Sequence, residues 1–181
     1  MKQKNRLQLF LQQVHIYNNE ENTKEGDKMT HADKAVELFK EGCNCAQAVF
    51  LAFNDIMGYE QKTALKISSS FGGGFGRMRE VCGAVSGMCM VLGTIYGYDD
   101  IESQQLKKEH YARIQKCMKE FREVNGTYIC RELIGEEGKD TKANPTERTN
   151  DFYKRRPCSE LVRIAAEITD KYIKENPIDD M

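Results

Sequence analysis

The sequence lacks an excess of charge of either sign, because 27 lysines and arginines stand against 28 aspartates and glutamates. Without a net field, nothing in the composition favours nucleic acid or an anionic membrane surface as a partner. The sequence also lacks an apolar run of the roughly 18 residues that a membrane-spanning helix needs. We therefore expect a protein that acts on or through small molecules, with neither nucleic acid nor a membrane among its partners.

The first 28 residues lack the pattern of a secretion signal. They are polar, and their one apolar cluster, residues 7–16, is interrupted by glutamines and lacks a small-residue cleavage site. We therefore expect a cytoplasmic protein. Residues 24–29 (KEGDKM) can be encoded by purine-rich codons that resemble a bacterial ribosome-binding site before a start codon. Residues 1–28 are thus either a translated leader, with Met29 as the true start, or a disordered tail.

The sequence also lacks a sustained alternation of apolar and polar residues, which is the pattern of a half-buried β-strand. Glycines instead separate segments of helical periodicity, so we predict an all-α fold in which residues 29–181 form one domain of about six to seven helices. The apolar segment that follows Cys82 carries four glycines and predicts a buried central helix. The predicted helices are residues 30–39, 44–57, 60–71, 82–96, 100–124, 129–134 and 158–174, with a polar loop at residues 136–147.

Cysteine, by contrast, is abundant, and four of the seven cysteines lie where a predicted helix begins. These four are Cys45, Cys82, Cys130 and Cys158. A helix N-terminus carries a partial positive charge and unpaired N–H groups, so it favours the thiolate, which is both the nucleophile and the metal ligand. Pro157 suits the first helical turn, and Arg155 and Arg156 lie just upstream. We therefore expect the pKa of Cys158 to fall below the value of about 8.5 for a free thiol, although burial opposes this.

A glycine-rich stretch, residues 72–76, lies before the predicted central helix and is followed at once by two arginines, Arg77 and Arg79. Such a backbone can form a tight helix-to-helix turn or hold an anion, but no strand precedes it, which excludes a dinucleotide-binding loop. Gly83 and Gly87 lie one helical turn apart, which leaves a groove for another backbone and room beside Cys82 for a cofactor or a second sulfur. The candidate cofactor-binding residues are Gly73, Gly74 and Gly83.

Read in order, these motifs resemble the bacterial C_GCAxxG_C_C family. The resemblance lies in residues 44–49 (NCAQAV), residues 71–76 (FGGGFG), the CGAxxG motif at residues 82–87, and the later single cysteines, and it covers residues 32–173. Members of the family are described as redox-active proteins with four characteristic cysteines. The resemblance implies redox activity at Cys45, Cys82, Cys130 and Cys158, with a bound iron–sulfur cluster or other prosthetic group, and it names no substrate.

Three functions remain open for the four cysteines. They ligate an iron–sulfur cluster or another metal and serve electron transfer or redox sensing, with a redox partner protein or small molecule. Alternatively, they work in pairs as thiol–disulfide exchangers. In the third alternative, they hold a structural metal without catalysis. If they form one site, we expect the sulfurs to converge, with Cys45 and Cys82 as the closest pair.

The remaining cysteines and the histidines are weaker candidates. Cys89 and Cys117 lie among apolar residues, which is typical of buried free cysteines. Cys43 forms a C-x-C pair with Cys45 and is either an additional thiol of the site or a structural residue. His110 lies on the apolar face of the long helix, as a core histidine does, and we assign no site role to His15 or His31.

Overall fold

The computed structural model describes residues 29–177, and within that range it contains nine α-helices, one 3₁₀ helix and no β-strand. The all-α prediction is therefore confirmed, whereas the predicted leader, residues 1–28, lies outside the described residues. None of the described helices combines the length and apolar character needed to cross a bilayer. The helices are α1 (His31–Glu41), α2 (Cys45–Ala52), α3 (Asn54–Met57), α4 (Gln61–Ser69), α5 (Gly83–Tyr96), α6 (Gln104–Asn125), α7 (Cys130–Leu133), α8 (Asn150–Arg155) and α9 (Cys158–Glu175), and the 3₁₀ helix is Gly135–Lys139.

The core forms where α1, α2, α5 and α9 pack on one another. Helix α5 is the predicted buried central helix, since nine of its 14 residues are buried. Helix α6 packs on α5 and α9 through a narrow stripe and buries only Cys117 and Phe121. Cys45 therefore begins one well-buried helix, α2, and Cys82 directly precedes another, α5.

Helices α2 and α5 approach each other closely at the two glycines of the CGAxxG motif. A β-carbon on Gly87 would lie 2.8 Å from the Ala46 carbonyl oxygen and 2.9 Å from Val49 Cβ. A β-carbon on Gly83 would lie 2.9 Å from the Phe71 carbonyl oxygen. All three distances are shorter than van der Waals contact, so only glycine at these two positions allows α5 to pack this closely on its neighbours, and the predicted groove is confirmed.

The predicted helix at residues 44–57 is interrupted. Phe53 leaves the helical region (φ −95°, ψ 14°) and separates α2 from α3. Its ring is fully buried and stacks on His31 with ring centroids 4.2 Å apart. Apolar periodicity continues through the break, and for this reason the sequence pattern did not reveal it.

Two other segments differ from the predicted boundaries. Helix α6 begins at Gln104 rather than residue 100, because the Asp100 carboxylate accepts backbone N–H groups in a turn before the helix and Ser103 caps it. Helix α8 was not predicted at all. It is a short helix whose N-cap is Thr149, which accepts from the Phe152 N–H, and six residues provide too little periodicity to recognise.

The glycine-rich stretch forms a left-handed turn. Residues 73–77 all have positive φ, and three of these five residues are glycines, which adopt that region without a steric cost. Amides in the turn bond within it, for example Gly76 N–H to the Ser70 carbonyl at 2.8 Å and Arg79 N–H to the Gly73 carbonyl at 3.2 Å. The glycine-rich stretch therefore forms a tight turn that connects α4 and α5.

Candidate functional site

One cavity of about 300 Å³ is lined by all four cysteines of the motifs. Cys45, Cys130 and Cys158 are the first residues of α2, α7 and α9, and Cys82 is the N-cap of α5, so the predicted placement at helix starts is confirmed. Four segments that are distant in the sequence thus bring their cysteines to one wall. This arrangement places thiols beside the positive ends of several helix dipoles.

Cys45 is positioned by the cap of α2. The Asn44 Oδ1 atom accepts from the N–H of Gln47 at 3.0 Å, and the Gln47 side chain accepts in return from the Asn44 N–H at 3.0 Å, which completes a capping box. The Asn44 amide also donates to the Ser69 carbonyl at 3.0 Å. A β-carbon on Gly72 would lie 2.5 Å from Asn44 Cγ, so the glycine turn is shaped to admit this cap.

A short extended pairing joins the segment that carries Cys82 to the segment that carries Cys130. Cys82 N–H donates to the Tyr128 carbonyl at 2.8 Å, and Cys130 N–H donates to the Glu80 carbonyl at 2.6 Å. A β-carbon on Gly74 would lie 2.8 Å from Cys130 Cβ. Because these anchors are backbone groups, the two cysteines are fixed by the chain path rather than by flexible side chains.

Cys45 interacts through its side chain with the thiol of Cys158. The expectation that Cys45 and Cys82 are the closest pair stays a prediction. Helix α9 packs against α1, α2 and α5, and this packing carries its first residue to the start of α2. The hydrogen bond from Cys45 lowers the pKa of Cys158, and Arg156 and Arg148 lower it further against the opposing effect of burial. The same hydrogen bond and burial raise the pKa of Cys45 well above its ordinary value. The pair is therefore asymmetric, with the proton held on Cys45.

The other two cysteines of the cavity are set up to remain protonated. Burial raises the pKa of Cys82 to about 12. Burial also raises the pKa of Cys130, although the nearby Arg79 guanidinium acts in the opposite direction. The predicted fall in pKa is thus specific to Cys158, and Arg156 contributes to it as expected, together with Arg148, for which the sequence carried no local signal.

Four arginines line the cavity, and none of the described residues that line it is an aspartate or glutamate. These arginines are Arg77, Arg79, Arg148 and Arg156. Arg77 pairs with Asp140 at 2.9 Å and Arg156 pairs with Glu137, outside the lining. Arg148 donates to the carbonyls of Phe39 and Cys43 at 2.9 and 3.0 Å, and so its charge is not balanced by a carboxylate in those bonds. The cavity wall is therefore net positive.

Of the three glycines predicted to bind a cofactor, Gly73 and Gly83 line the cavity and Gly74 does not. Four thiols are the usual ligand set for an iron–sulfur cluster and also suit zinc. Their placement does not fit such a group, however, since no three His, Cys, Asp or Glu residues in the described chain are arranged to hold a common metal ion. We therefore derive no chemistry through a metal.

The remaining cysteines and His110 lie away from the cavity lining. Burial raises the pKa of Cys43 to about 12, that of Cys89 to about 12 and that of Cys117 to about 11. Cys117 is buried as predicted, whereas Cys89 is only half-buried. His110 lies beside Arg113 with its ring against Tyr98. None of these groups contributes to the cavity.

Comparison with known proteins agrees with the motifs. No curated protein and no solved structure matches the chain. A family model, described as "Putative redox-active protein (C_GCAxxG_C_C)", matches residues 43–172, which is well over half of the chain and includes all four cysteines of the cavity. The chain therefore belongs to the C_GCAxxG_C_C family of redox-active proteins.

Proposed function

We propose that Cys45 and Cys158 form a redox-active dithiol that exchanges with disulfides. The observation that carries the proposal is that these two thiols line one cavity and interact through their side chains, with the pKa of Cys158 lowered and that of Cys45 raised. A thiol that is ionised more readily attacks, and a protonated thiol beside it is placed to resolve the resulting mixed disulfide. This division of roles needs two neighbouring sulfurs with different proton affinities, and the pair has that property.

The reaction follows from these roles. The Cys158 thiolate attacks one sulfur of a substrate disulfide, the substrate S–S bond breaks, and one substrate thiolate leaves and takes up a proton. Cys45 then loses its proton and attacks Cys158 Sγ, which forms the protein disulfide and releases the second substrate thiol. The substrate gains two electrons and the cysteine pair loses two. A dithiol reductant returns the pair to the reduced state by the reverse exchange.

Arginines of the wall support the attacking thiolate. Arg156 and Arg148 act on Cys158 across the cavity. Arg156 pairs with Glu137 outside the lining, whereas Arg148 donates to backbone carbonyls, so the charge of Arg148 is the more available to the thiolate. In a site of low dielectric constant such a charge interaction is stronger than in water. Cys82 and Cys130 keep their protons and act in this proposal as packing and hydrogen-bonding residues of the wall.

The experiment is oxidation of the fully reduced protein by a small neutral disulfide, followed by acid quenching, alkylation and peptide mass mapping. We expect one new disulfide, joining Cys45 to Cys158. With Cys45→Ser the reaction should stop at a mixed disulfide on Cys158, and with Cys158→Ser it should be slowed strongly. Cys89→Ser, outside the cavity, is the matched control and should behave as the unmodified protein. A first mixed disulfide on Cys45, or a final bond between other cysteines, would refute the assigned roles.

An iron–sulfur cluster or metal ion is the second candidate, and one observation favours it: all four cysteines line the same cavity. Its test is the content of iron, zinc and acid-labile sulfide after purification without oxygen. We expect a colourless protein with far less than one metal ion per chain. A stoichiometric metal that is lost in the Cys82→Ser variant would support the cluster and overturn the dithiol proposal.

A further inference from the structure

The Arg79 side chain is the least expected charged group in the fold. It is only 2% exposed, and it ranks among the largest fully buried side chains of the described residues. Its Nε atom donates to the Asp140 carbonyl at 2.9 Å, while its Nη2 atom has no hydrogen-bond partner. A buried donor on a charged group that is left without an acceptor costs free energy on the order of 1–3 kcal/mol or more, so an unused donor of this kind calls for an explanation.

Arg79 is one of the residues that line the cavity. Its guanidinium lowers the pKa of Cys130 and of Cys158, both of which are also cavity residues. A thiol is a weak acceptor, whereas a carboxylate forms a short charge-assisted hydrogen bond with a guanidinium. Since the lining contains no acidic side chain among the described residues, a carboxylate that pairs with Nη2 is one that a ligand carries into the cavity.

The low exposure of Cys158 limits the size of a ligand that can reach its sulfur. Its residue exposure is 8%, so a disulfide on the surface of a folded protein cannot reach its sulfur. A cavity of about 300 Å³ lies at the lower end of the range for small-molecule sites. Its apolar wall, which includes Leu133, Ile134 and Leu161, suits short aliphatic stems. The oxidant that fits is therefore a small molecule.

The geometry points to a small disulfide that carries a carboxylate as the substrate, with the carboxylate bound by Arg79 and the disulfide sulfur presented to Cys158. This inference rests on the proposed dithiol function and assigns its substrate class. The Nη2 atom is itself buried, so a ligand oxygen reaches it only after a neighbouring side chain of the wall turns aside. Arg79 then acts as a positioning residue, because it holds the substrate end that does not react.

The test compares three disulfides of similar size and different charge: dithiodipropionate, hydroxyethyl disulfide and cystamine, which are anionic, neutral and cationic. The rate of Cys45–Cys158 disulfide formation is divided by the rate of the same disulfide with a free small dithiol, which removes intrinsic reactivity. We expect the corrected rate for dithiodipropionate to exceed that for hydroxyethyl disulfide by at least about tenfold, which corresponds to about 1.4 kcal/mol, and cystamine to be slowest. Free thiolates repel an anionic disulfide, and the division removes this repulsion, so an uncharged site would give equal corrected rates.

Two variants separate the effect of Arg79 from general charge. Arg79→Gln should reduce the preference for dithiodipropionate to within about twofold, whereas Arg155→Gln, an exposed arginine outside the lining, should retain it. Binding of dithiodipropionate to Cys158→Ser, measured by calorimetry, should be saturable and should weaken in the Arg79→Gln, Cys158→Ser double variant. The charge series needs no change at Arg79, so it decides the question even where Arg79→Gln does not fold.

The outcomes distinguish the two proposals. Equal corrected rates for the three disulfides, or an anionic preference that persists in folded Arg79→Gln, would overturn the substrate assignment and leave the dithiol function standing. Failure of all three disulfides to form the Cys45–Cys158 bond would overturn the dithiol function and the substrate assignment with it.

Discussion

The close approach of α2 and α5 provides a quantitative test, because α5 contains two glycines in opposite environments. A β-carbon on Gly87 would lie 2.8 Å from the Ala46 carbonyl oxygen and 2.9 Å from Val49 Cβ, whereas a β-carbon on Gly93 would have nothing within 4 Å. The perturbation is therefore Gly87→Ala, with Gly93→Ala as the matched control in the same helix.

The expected magnitudes follow from two terms. Alanine inside a helix is more favourable than glycine by about 1 kcal/mol, and this gain applies to both variants. Overpacking a core costs about 1–3 kcal/mol, and the upper end applies at Gly87 because a backbone oxygen cannot rotate away. We expect Gly87→Ala to lose about 2 kcal/mol of unfolding free energy and Gly93→Ala to gain about 1 kcal/mol.

The assay is thermal unfolding under reducing conditions, followed by circular dichroism. At about 2–4 °C per kcal/mol for a domain of this size, Gly87→Ala should lower Tm by about 4–8 °C and Gly93→Ala should raise it by about 2–4 °C. Displacement of α2 should also change the alkylation rate of Cys45. Two variants that shift Tm in the same direction by similar amounts would refute the reasoning, since the effect would then be helix propensity alone.

Three further predictions concern single groups. Iodoacetamide at pH 7 should modify Cys158 at least about tenfold faster than Cys117, because a lower pKa increases the thiolate fraction more than it reduces nucleophilicity. Equal rates at the two cysteines in folded protein would contradict the activation of Cys158. Burial lowers the pKa of His31, but hydrogen bonds to two aspartates raise this pKa to about 9. Protonated His31 should therefore stabilise the fold by about 1–2 kcal/mol after solvent screening, fully below pH 6.5 and no longer once the pH has risen past 9. A pH-independent difference in unfolding free energy between the protein and His31→Gln would contradict this. Gly74→Ala should lower the free energy of unfolding by about 2 kcal/mol more than Gly76→Ala. Both glycines have positive φ, but only a β-carbon on Gly74 would clash with the Cys130 side chain. Urea unfolding of the two variants measures the difference.

Local features of the candidate site were predictable because they depend on neighbours in the sequence. A cap such as Asn44 and a helix that begins at Cys158 are set by contacts within one helical turn. The glycines of CGAxxG are recognisable as a motif, although the backbone that they admit lies on another element. For the same reason the pattern missed the break at Phe53, whose ring stacks on His31 of another helix. The short helix α8 was not predicted, because it depends on its cap and is too short to show a periodic pattern.

The sequence by itself thus determined the helical class, the four cysteines at helix starts, the close-packing glycines and the family. Only the tertiary structure decided that the side chains of Cys45 and Cys158 interact, that Arg148 lines the cavity, and that Arg79 is buried with an unused donor. Arg148 shows the reason, since it bonds to a carbonyl 105 positions away. Periodicity and capping describe a segment, whereas partners across a cavity are selected by how whole helices pack.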